Sequence, residues 1–178
     1  NDLIDSSKIG DANILDVIIQ IFKKEGFLTK SFIDIFPDEY LLDVEYNKIT
    51  NQDKKDIEKG VLVLNSISQY DNAQSCVVSN GYILAIEAVE GTDKMIKRIK
   101  PIKKKISRDF IEGCLIKIPK INQSRDIDLP TVGLKTLDMM QKNKLNVLAV
   151  RKDLTIVVEK KKFYRSLKKY NISLSFIN

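Results

Sequence analysis

The stretch Ser75-Cys76-Val77-Val78-Ser79-Asn80-Gly81-Tyr82-Ile83-Leu84-Ala85-Ile86-Glu87-Ala88 decides the fold class. Two β-rich runs flank Asn80-Gly81, the dipeptide that best accepts the positive φ angles of a tight hairpin turn. Before the hairpin, a helix is expected from about Gln52 to Tyr70, capped by Thr50 or Asn51, with Ile57, Val61, Leu64 and Ile67 on one stripe. Gly60 inside that helix costs about 1 kcal/mol of propensity, which points to a close approach there. Beyond the hairpin, Gly91-Thr92-Asp93 opens a short helix expected to end before Pro101, and Cys114 to Ile118 reads as a strand. Ile121 to Asp128 reads as a polar loop, and Pro130-Thr131 as the start of a helix running through Leu134, Leu137 and Met140 to Lys142, closed by Asn143. Asn146 to Val150 and Leu154 to Val158 read as strands, Phe163 to Tyr170 as a basic helix, and Ser173 to Ile177 as a last strand. Short strands interleaved with helices indicate α/β or α+β, and the α/β class with a mixed sheet in the C-terminal part is the expectation carried forward.

Toward the N-terminus, Ile14, Val17, Ile18, Ile21 and Phe22 recur at helical spacing, with Asp11 or Asn13 as cap and Gly26 as stop. Phe27 to Phe36 is expected to hold a short extended piece with a turn at Pro37, and residues 38–50 to form an acidic, Tyr-bearing linking segment. The expected division is therefore 1–50, helix and linker, and 51–178, a C-terminal domain. The first residue is Asn rather than Met, which suggests a piece of a longer protein.

The 178 residues are 43% hydrophobic and 30% charged, the balance of a globule with its own core. A net charge of +6 suits a partner bearing phosphates or an anionic surface. The chain contains no histidine, which excludes Ser-His-Asp and Cys-His catalysis, histidine zinc sites and a histidine general base. Catalysis must then run on carboxylates, Lys or Arg, hydroxyls or a metal. Cys76 and Cys114 lie in separate apolar runs and are expected to be buried, reduced thiols. No run reaches the ~18 apolar residues of a membrane span.

Three stretches concentrate chemistry. In Glu87-Ala88-Val89-Glu90-Gly91-Thr92-Asp93, a strand exit meets a helix entry. The acids suit a hard cation, and the helix start with Thr92 suits a phosphate; the simpler alternative is a capped helix with solvated acids. In Gln123-Ser124-Arg125-Asp126-Ile127-Asp128-Leu129-Pro130, Asp126 and Asp128 point to opposite faces of an extended loop unless it bends, and Arg125 can grip a phosphate; alone this is an ordinary polar loop. The basic set Lys94, Lys97, Arg98, Lys100, Lys103, Lys104 and Lys105 suits a diphosphate, anionic lipid or nucleic acid, or is a solvated face. Aromatics at 7%, with none interleaving the cluster, count against nucleic acid.

Ile86-Glu87-Ala88-Val89-Glu90-Gly91-Thr92-Asp93 and Asp128-Leu129-Pro130-Thr131-Val132-Gly133 resemble two signatures of the LpxI-type UDP-2,3-diacylglucosamine pyrophosphatases of lipid A synthesis. Gly10-Asp11-Ala12-Asn13, Asp56-Ile57-Glu58-Lys59-Gly60 and Asp71-Asn72-Ala73-Gln74 fall in the order that family shows, so the resemblance spans nearly the whole chain. It implies that residues 1–50 end a Rossmann-like N-terminal domain and that substrate lies between two domains. It further implies hydrolysis of UDP-2,3-diacylglucosamine to UMP and 2,3-diacylglucosamine 1-phosphate (lipid X), dependence on Mg²⁺ (or Mn²⁺), and a cytoplasmic, peripheral place at the inner membrane of a Gram-negative bacterium. An anionic membrane surface and a second copy of the chain are further expected partners, and nucleic acid is not.

On this reading Glu87, Glu90, Asp93 and Asp128 are the candidate metal ligands. Asp128, Arg125 and Asp126 are the candidate catalytic residues, and Gly91, Thr92, Gln123, Pro130 and Thr131 the candidate substrate contacts. Two departures from the resemblance stand out. Ser124 replaces an acid, and Arg151-Lys152-Asp153 replaces Glu-Ala-Gly. They motivate the alternative of a non-catalytic homologue that binds anionic lipid or a nucleotide-sugar.

Overall fold

A computed structural model of the chain describes residues 11–68, 70, 73–106, 112–120 and 129–177. The expected polar loop 121–128, with Gln123, Ser124, Arg125, Asp126 and Asp128, lies outside the described residues. The elements run α1 (Asp11–Lys24), α2 (Phe32–Ile35), α3 (Pro37–Tyr40), α4 (Asn51–Ser68), β1 (Ser75–Ser79), β2 (Tyr82–Ile86), α5 (Thr92–Lys97) and α6 (Ile99–Ile106). They continue with β3 (Cys114–Lys117), β4 (Thr131–Val132), α7 (Leu134–Lys142), β5 (Val147–Arg151), β6 (Ile156–Val157), α8 (Lys160–Tyr170) and β7 (Ser173–Ile177).

The main sheet has the order β2-β1-β3-β5-β7. β1 pairs antiparallel with β2 and β3, while β3, β5 and β7 are parallel. The sheet is thus mixed, as the alternation of elements predicts. The hairpin forms at Asn80 (φ 49°) and Gly81 (φ 79°), the positive angles this turn demands. Because side chains alternate across a strand, each strand feeds two cores. Cys76, Val78, Cys114, Ile116, Val147 and Ala149 meet Ile57 and Leu64 of α4. Val77, Leu115, Leu148, Val150 and Leu174 meet Met95 of α5, Leu137 and Met140 of α7, and Phe163 and Leu167 of α8.

α4 begins with a reciprocal cap: the Asp53 amide donates to Thr50 Oγ1 at 3.1 Å, and the Thr50 amide donates to Asp53 Oδ2 at 2.8 Å. Gly60 permits the expected close approach, since a Cβ there would stand 2.8 Å from Ile116 Cδ1 and 3.1 Å from Cys76 Sγ. Asp56, one turn earlier and only 3% exposed, accepts the amides of Asn80 (2.8 Å) and Gly81 (2.7 Å), so α4 holds the hairpin turn. Cys76 and Cys114 are buried and unbridged, and burial pushes the Cys76 thiol up to about 12.

The structure differs from expectation in four places. Residues 32–40 form two short helical turns, α2 and α3, rather than an extended piece. After α5 the chain does not stop before Pro101 but continues into α6, where Pro101 sits in the first turn and has no helical N–H to forfeit. Thr131 does not open a helix: Thr131 and Val132 pair in parallel with Ile156 and Val157, and α7 starts at Leu134 after Gly133. The expected strand 154–158 is shortened to β6, because Lys152–Leu154 coil into a 3-10 turn.

The acidic segment expected to link is itself docked. Tyr46 and Leu174 exchange backbone hydrogen bonds at 3.1 and 2.8 Å, Glu45 accepts the Phe176 amide at 2.7 Å, and Leu42 is buried in the α7–α8 core. Asp43 pairs with Lys160 at 2.8 Å and accepts the Tyr164 hydroxyl at 3.0 Å. The Lys160 hydrogen bond holds its carboxyl below the usual range.

Candidate functional site

Parallel sheets present the carboxyl ends of their strands as the natural place for a ligand crevice. Here the carboxyl end of β3 coincides with the start of β1 and the end of β2, because β1 runs antiparallel to both. A cavity of about 460 Å³ opens at this edge, lined by Glu90, Gly91, Thr92, Asp93 and Thr131 among others. Thr131 thus lines the same cavity as the Gly91–Asp93 turn. Pro130, the neighbouring candidate, is buried.

The acids of the first signature are each engaged. Glu87 Oε2 accepts the Ser75 hydroxyl at 2.7 Å and Oε1 accepts the Thr92 hydroxyl at 3.0 Å. Glu90 pairs with Arg98 at 2.9 Å, and its own backbone amide and this guanidinium hold its carboxyl below the usual range. Asp93 pairs with Lys135 of α7. Gly91 holds φ +79°, the left-handed geometry that turns β2 into α5, and Thr92 follows as the first helical residue instead of capping.

The cavity's charge comes from lysine. Lys94 and Lys97 from α5, Lys117 from β3 and Lys135 from α7 all line it. Lys94 and Lys97 belong to the basic set read from the sequence; Lys117, Lys135, Ser75 and Thr136 were not singled out there. One signal was present: Lys117 is a charge in an apolar run, on the Leu115 side of the alternation, where a buried residue is due. With α5 only six residues long, these ammonium groups, rather than a helix terminus, supply the attraction for an anion.

The fit to a divalent cation is one of donor type. A carboxylate beside two hydroxyls is a hard-oxygen set, which suits Mg²⁺ or Mn²⁺. Among the described residues no three His, Cys, Asp or Glu side chains gather, so a further carboxylate would have to come from elsewhere. Lys117 and Thr131, which flank residues 121–128 in sequence, both line the cavity.

A second concavity of about 490 Å³ lies at the carboxyl ends of β5 and β7, lined by Glu45, Arg151, Lys152, Asp153, Leu154 and Phe176 among others. The Arg151-Lys152-Asp153 departure noted in the sequence thus falls on a cavity wall. Far from both sets of signature residues in sequence, Phe22, Phe27, Leu28, Phe32, Ile35 and Phe36 are exposed. No described helix is long and apolar enough to cross a membrane.

With this geometry in place, comparison with known proteins has a specific meaning. UDP-2,3-diacylglucosamine pyrophosphatase LpxI of Caulobacter vibrioides is 34% identical to the chain over 140 residues, which is 76% of this chain and 50% of that protein. The chain spans about half the length of the curated relative it matches. The family described as the LpxI C-terminal domain matches residues 43–175, from the docked Asp43 segment through β7, and this chain belongs to that family.

Proposed function

We propose that this chain is the C-terminal part of a hydrolase that cleaves the diphosphate of UDP-2,3-diacylglucosamine to UMP and 2,3-diacylglucosamine 1-phosphate in lipid A biosynthesis. The observation that carries the reading is the lysine-lined cavity, in which Thr92 and Thr131 from the two separated signatures meet. Four ammonium groups offset the charge that otherwise keeps a nucleophile away from a diphosphate. The chain's relation to the Caulobacter vibrioides enzyme names the substrate class.

Asp128, with one or more of Glu87, Glu90 and Asp93, would hold Mg²⁺ or Mn²⁺. When bound, such an ion lowers the pKa of a coordinated water and offsets phosphoryl charge. In a chain without histidine, a carboxylate, Asp126 or Asp128, takes the proton of the attacking water. The water oxygen forms the new P–O bond, the P–O–P bridge breaks, and two phosphate monoesters leave. Arg125, Gln123 and the backbone amide region at Thr92 steady the phosphoryl oxygens. A place at the surface of an anionic inner membrane fits the exposed apolar residues of α1 to α3 and the nearby Lys23, Lys24 and Lys30.

The test is turnover of UDP-2,3-diacylglucosamine with Mg²⁺ and with EDTA. UMP release that EDTA stops, and that Asp128→Ala abolishes without lowering the melting temperature, is the expected result. Unchanged activity in Asp128→Ala removes that residue from the reaction. The second reading, a homologue that binds anionic lipid or a nucleotide-sugar without cleaving it, is favoured by Ser124 and by Arg151-Lys152 on the wall of the second concavity. Ligand retained with no UMP released identifies it.

A further inference from the structure

β3 ends on a residue whose position and chemistry disagree. Lys117 is only 9% exposed and lies in the row of Leu115, above the α5–α7 core. A buried ammonium is costly unless it is held by hydrogen bonds or paired charge. Its holding is specific. Lys117 Nζ donates to Thr92 Oγ1 at 3.1 Å, Thr92 Oγ1 donates to Glu87 Oε1 at 3.0 Å, and Ser75 donates to Glu87 Oε2 at 2.7 Å. An ionised carboxylate only accepts, so Glu87 takes the single hydroxyl proton of Thr92. A lone pair of the same oxygen is then turned toward Lys117. The ammonium is thereby fixed at the cavity wall by a chain that starts on three different elements, β1, β3 and the β2–α5 turn.

The other three lysines of the cavity differ in kind. Lys94, Lys97 and Lys135 are exposed, and solvent and salt screen exposed charges strongly. Lys117 is shielded from both, and its direction is set before any ligand arrives. A preoriented donor in a poorly hydrated place is the kind that stabilises charge developing on a phosphoryl oxygen.

We infer that Lys117 contacts the diphosphate directly and supplies the largest lysine contribution to binding and cleaving it, with Thr92 and Glu87 as its positioning residues. The inference rests on the proposed diphosphate chemistry for its catalytic half, and on the cavity alone for its binding half.

The experiment measures inorganic pyrophosphate binding by calorimetry in EDTA, and UDP-2,3-diacylglucosamine turnover in Mg²⁺, for wild type, Lys117→Met and Lys135→Met. A hydrogen bond to a charged group is worth about 10- to 100-fold in affinity. Lys117→Met is therefore expected to weaken pyrophosphate by ten-fold or more and to lower kcat by about 100-fold, against less than about three-fold in binding for Lys135→Met. Pyrophosphate binding and kcat both unchanged in Lys117→Met overturn the inference, as does a wild type that does not bind pyrophosphate. Wild-type binding that depends on Lys117 in a chain that releases no UMP keeps the anion contact and defeats the hydrolase reading instead. Should Lys117→Met fail to fold, Lys117→Gln, which keeps a donor for Thr92 without the charge, decides: retained pyrophosphate affinity in that folded variant overturns the inference, and its loss supports it.

Discussion

The two faces of the central sheet are built from the same strands by the same alternation, yet among the described residues one packs an apolar cluster against α4 and the other borders a lysine-lined cavity. On the α4 face, Cys114 and Ile116 of β3 and Ile118 just after it pack without interruption, and Gly60 lets the helix backbone settle onto Ile116. On the opposite face, Leu115 is followed by Lys117, and β1 contributes Ser75 beside Val77. The face that ends in apolar residues has nothing to offer a ligand. The face that ends in a hydroxyl and an ammonium has polar groups to satisfy, and it satisfies them through Glu87 and Thr92 at the cavity. The lesson is that the residues closing each strand, not the strand count or the sheet order, decide which face carries chemistry.

The largest expected effect strikes the α4 face. Gly60→Val drives a branched side chain into Ile116 and Cys76, and is expected to cost about 3 kcal/mol in a urea melt with little direct effect on ligand binding by the folded fraction. Next, Asp56→Ala leaves the Asn80 and Gly81 amides without their carboxylate and is expected to cost about 2 kcal/mol, read in the same melt. Thr92→Val sharpens the contrast from the other side. It keeps the side-chain volume but removes the hydroxyl shared by Lys117 and Glu87, so stability should fall by about 1.5 kcal/mol, while pyrophosphate affinity falls several-fold because Lys117 loses its anchor. A Thr92→Val variant that destabilises as much as Asp56→Ala while binding normally would erase the distinction between the faces.

Smaller effects probe pH. The Lys160 hydrogen bond depresses the Asp43 pKa, so Asp43 stabilises the fold above its unfolded value, and that stabilisation fades as pH falls through the lower folded value. Asp43→Asn should therefore cost at most about 1 kcal/mol at neutral pH, since the pair is solvent-screened, and nothing in acid. Burial lowers the Lys103 pKa to about 8 while it donates to the Asn143 and Lys144 carbonyls at the end of α7. Between pH 8 and the ordinary lysine range the unfolded chain binds the extra proton, so wild type should gain stability relative to Lys103→Met as pH rises through that window. Thermal melts of the pair at about pH 7.5 and about pH 9.5, one on each side of that pKa, check the sign.

What was legible in advance follows from local chemistry. Asn80-Gly81 fixes a hairpin because few other residues tolerate its φ angles, the Ile57–Leu64 spacing fixes the buried side of α4, and an in-helix glycine announces a tight contact. Gly91, Thr92 and Thr131 were marked by the resemblance of two stretches to family signatures rather than by their residue types alone, and in the structure they line one cavity. What misled was equally local. Pro130-Thr131 resembles a helix start, but the hydrogen bonds of a short parallel pairing with Ile156 and Val157 outweigh that preference. Thr92 resembles a cap, but Gly91 takes the strained angle and frees the hydroxyl for Glu87.

The sequence by itself determined the hairpin, α4, β3, α7, β5, α8 and β7, the absence of histidine chemistry and the two stretches where acids, threonines and glycine converge, since these depend on contacts within a few residues. Only the tertiary structure decided that Ser75, Glu87, Thr92 and Lys117 share one hydrogen-bonded chain, that Lys135 reaches Asp93, and that the acidic segment at 41–46 bridges Ile156 of β6 at Leu41 and Leu174 of β7 at Tyr46. These depend on strand register and on which helix covers which face, and register is set by the packing of the whole core at once.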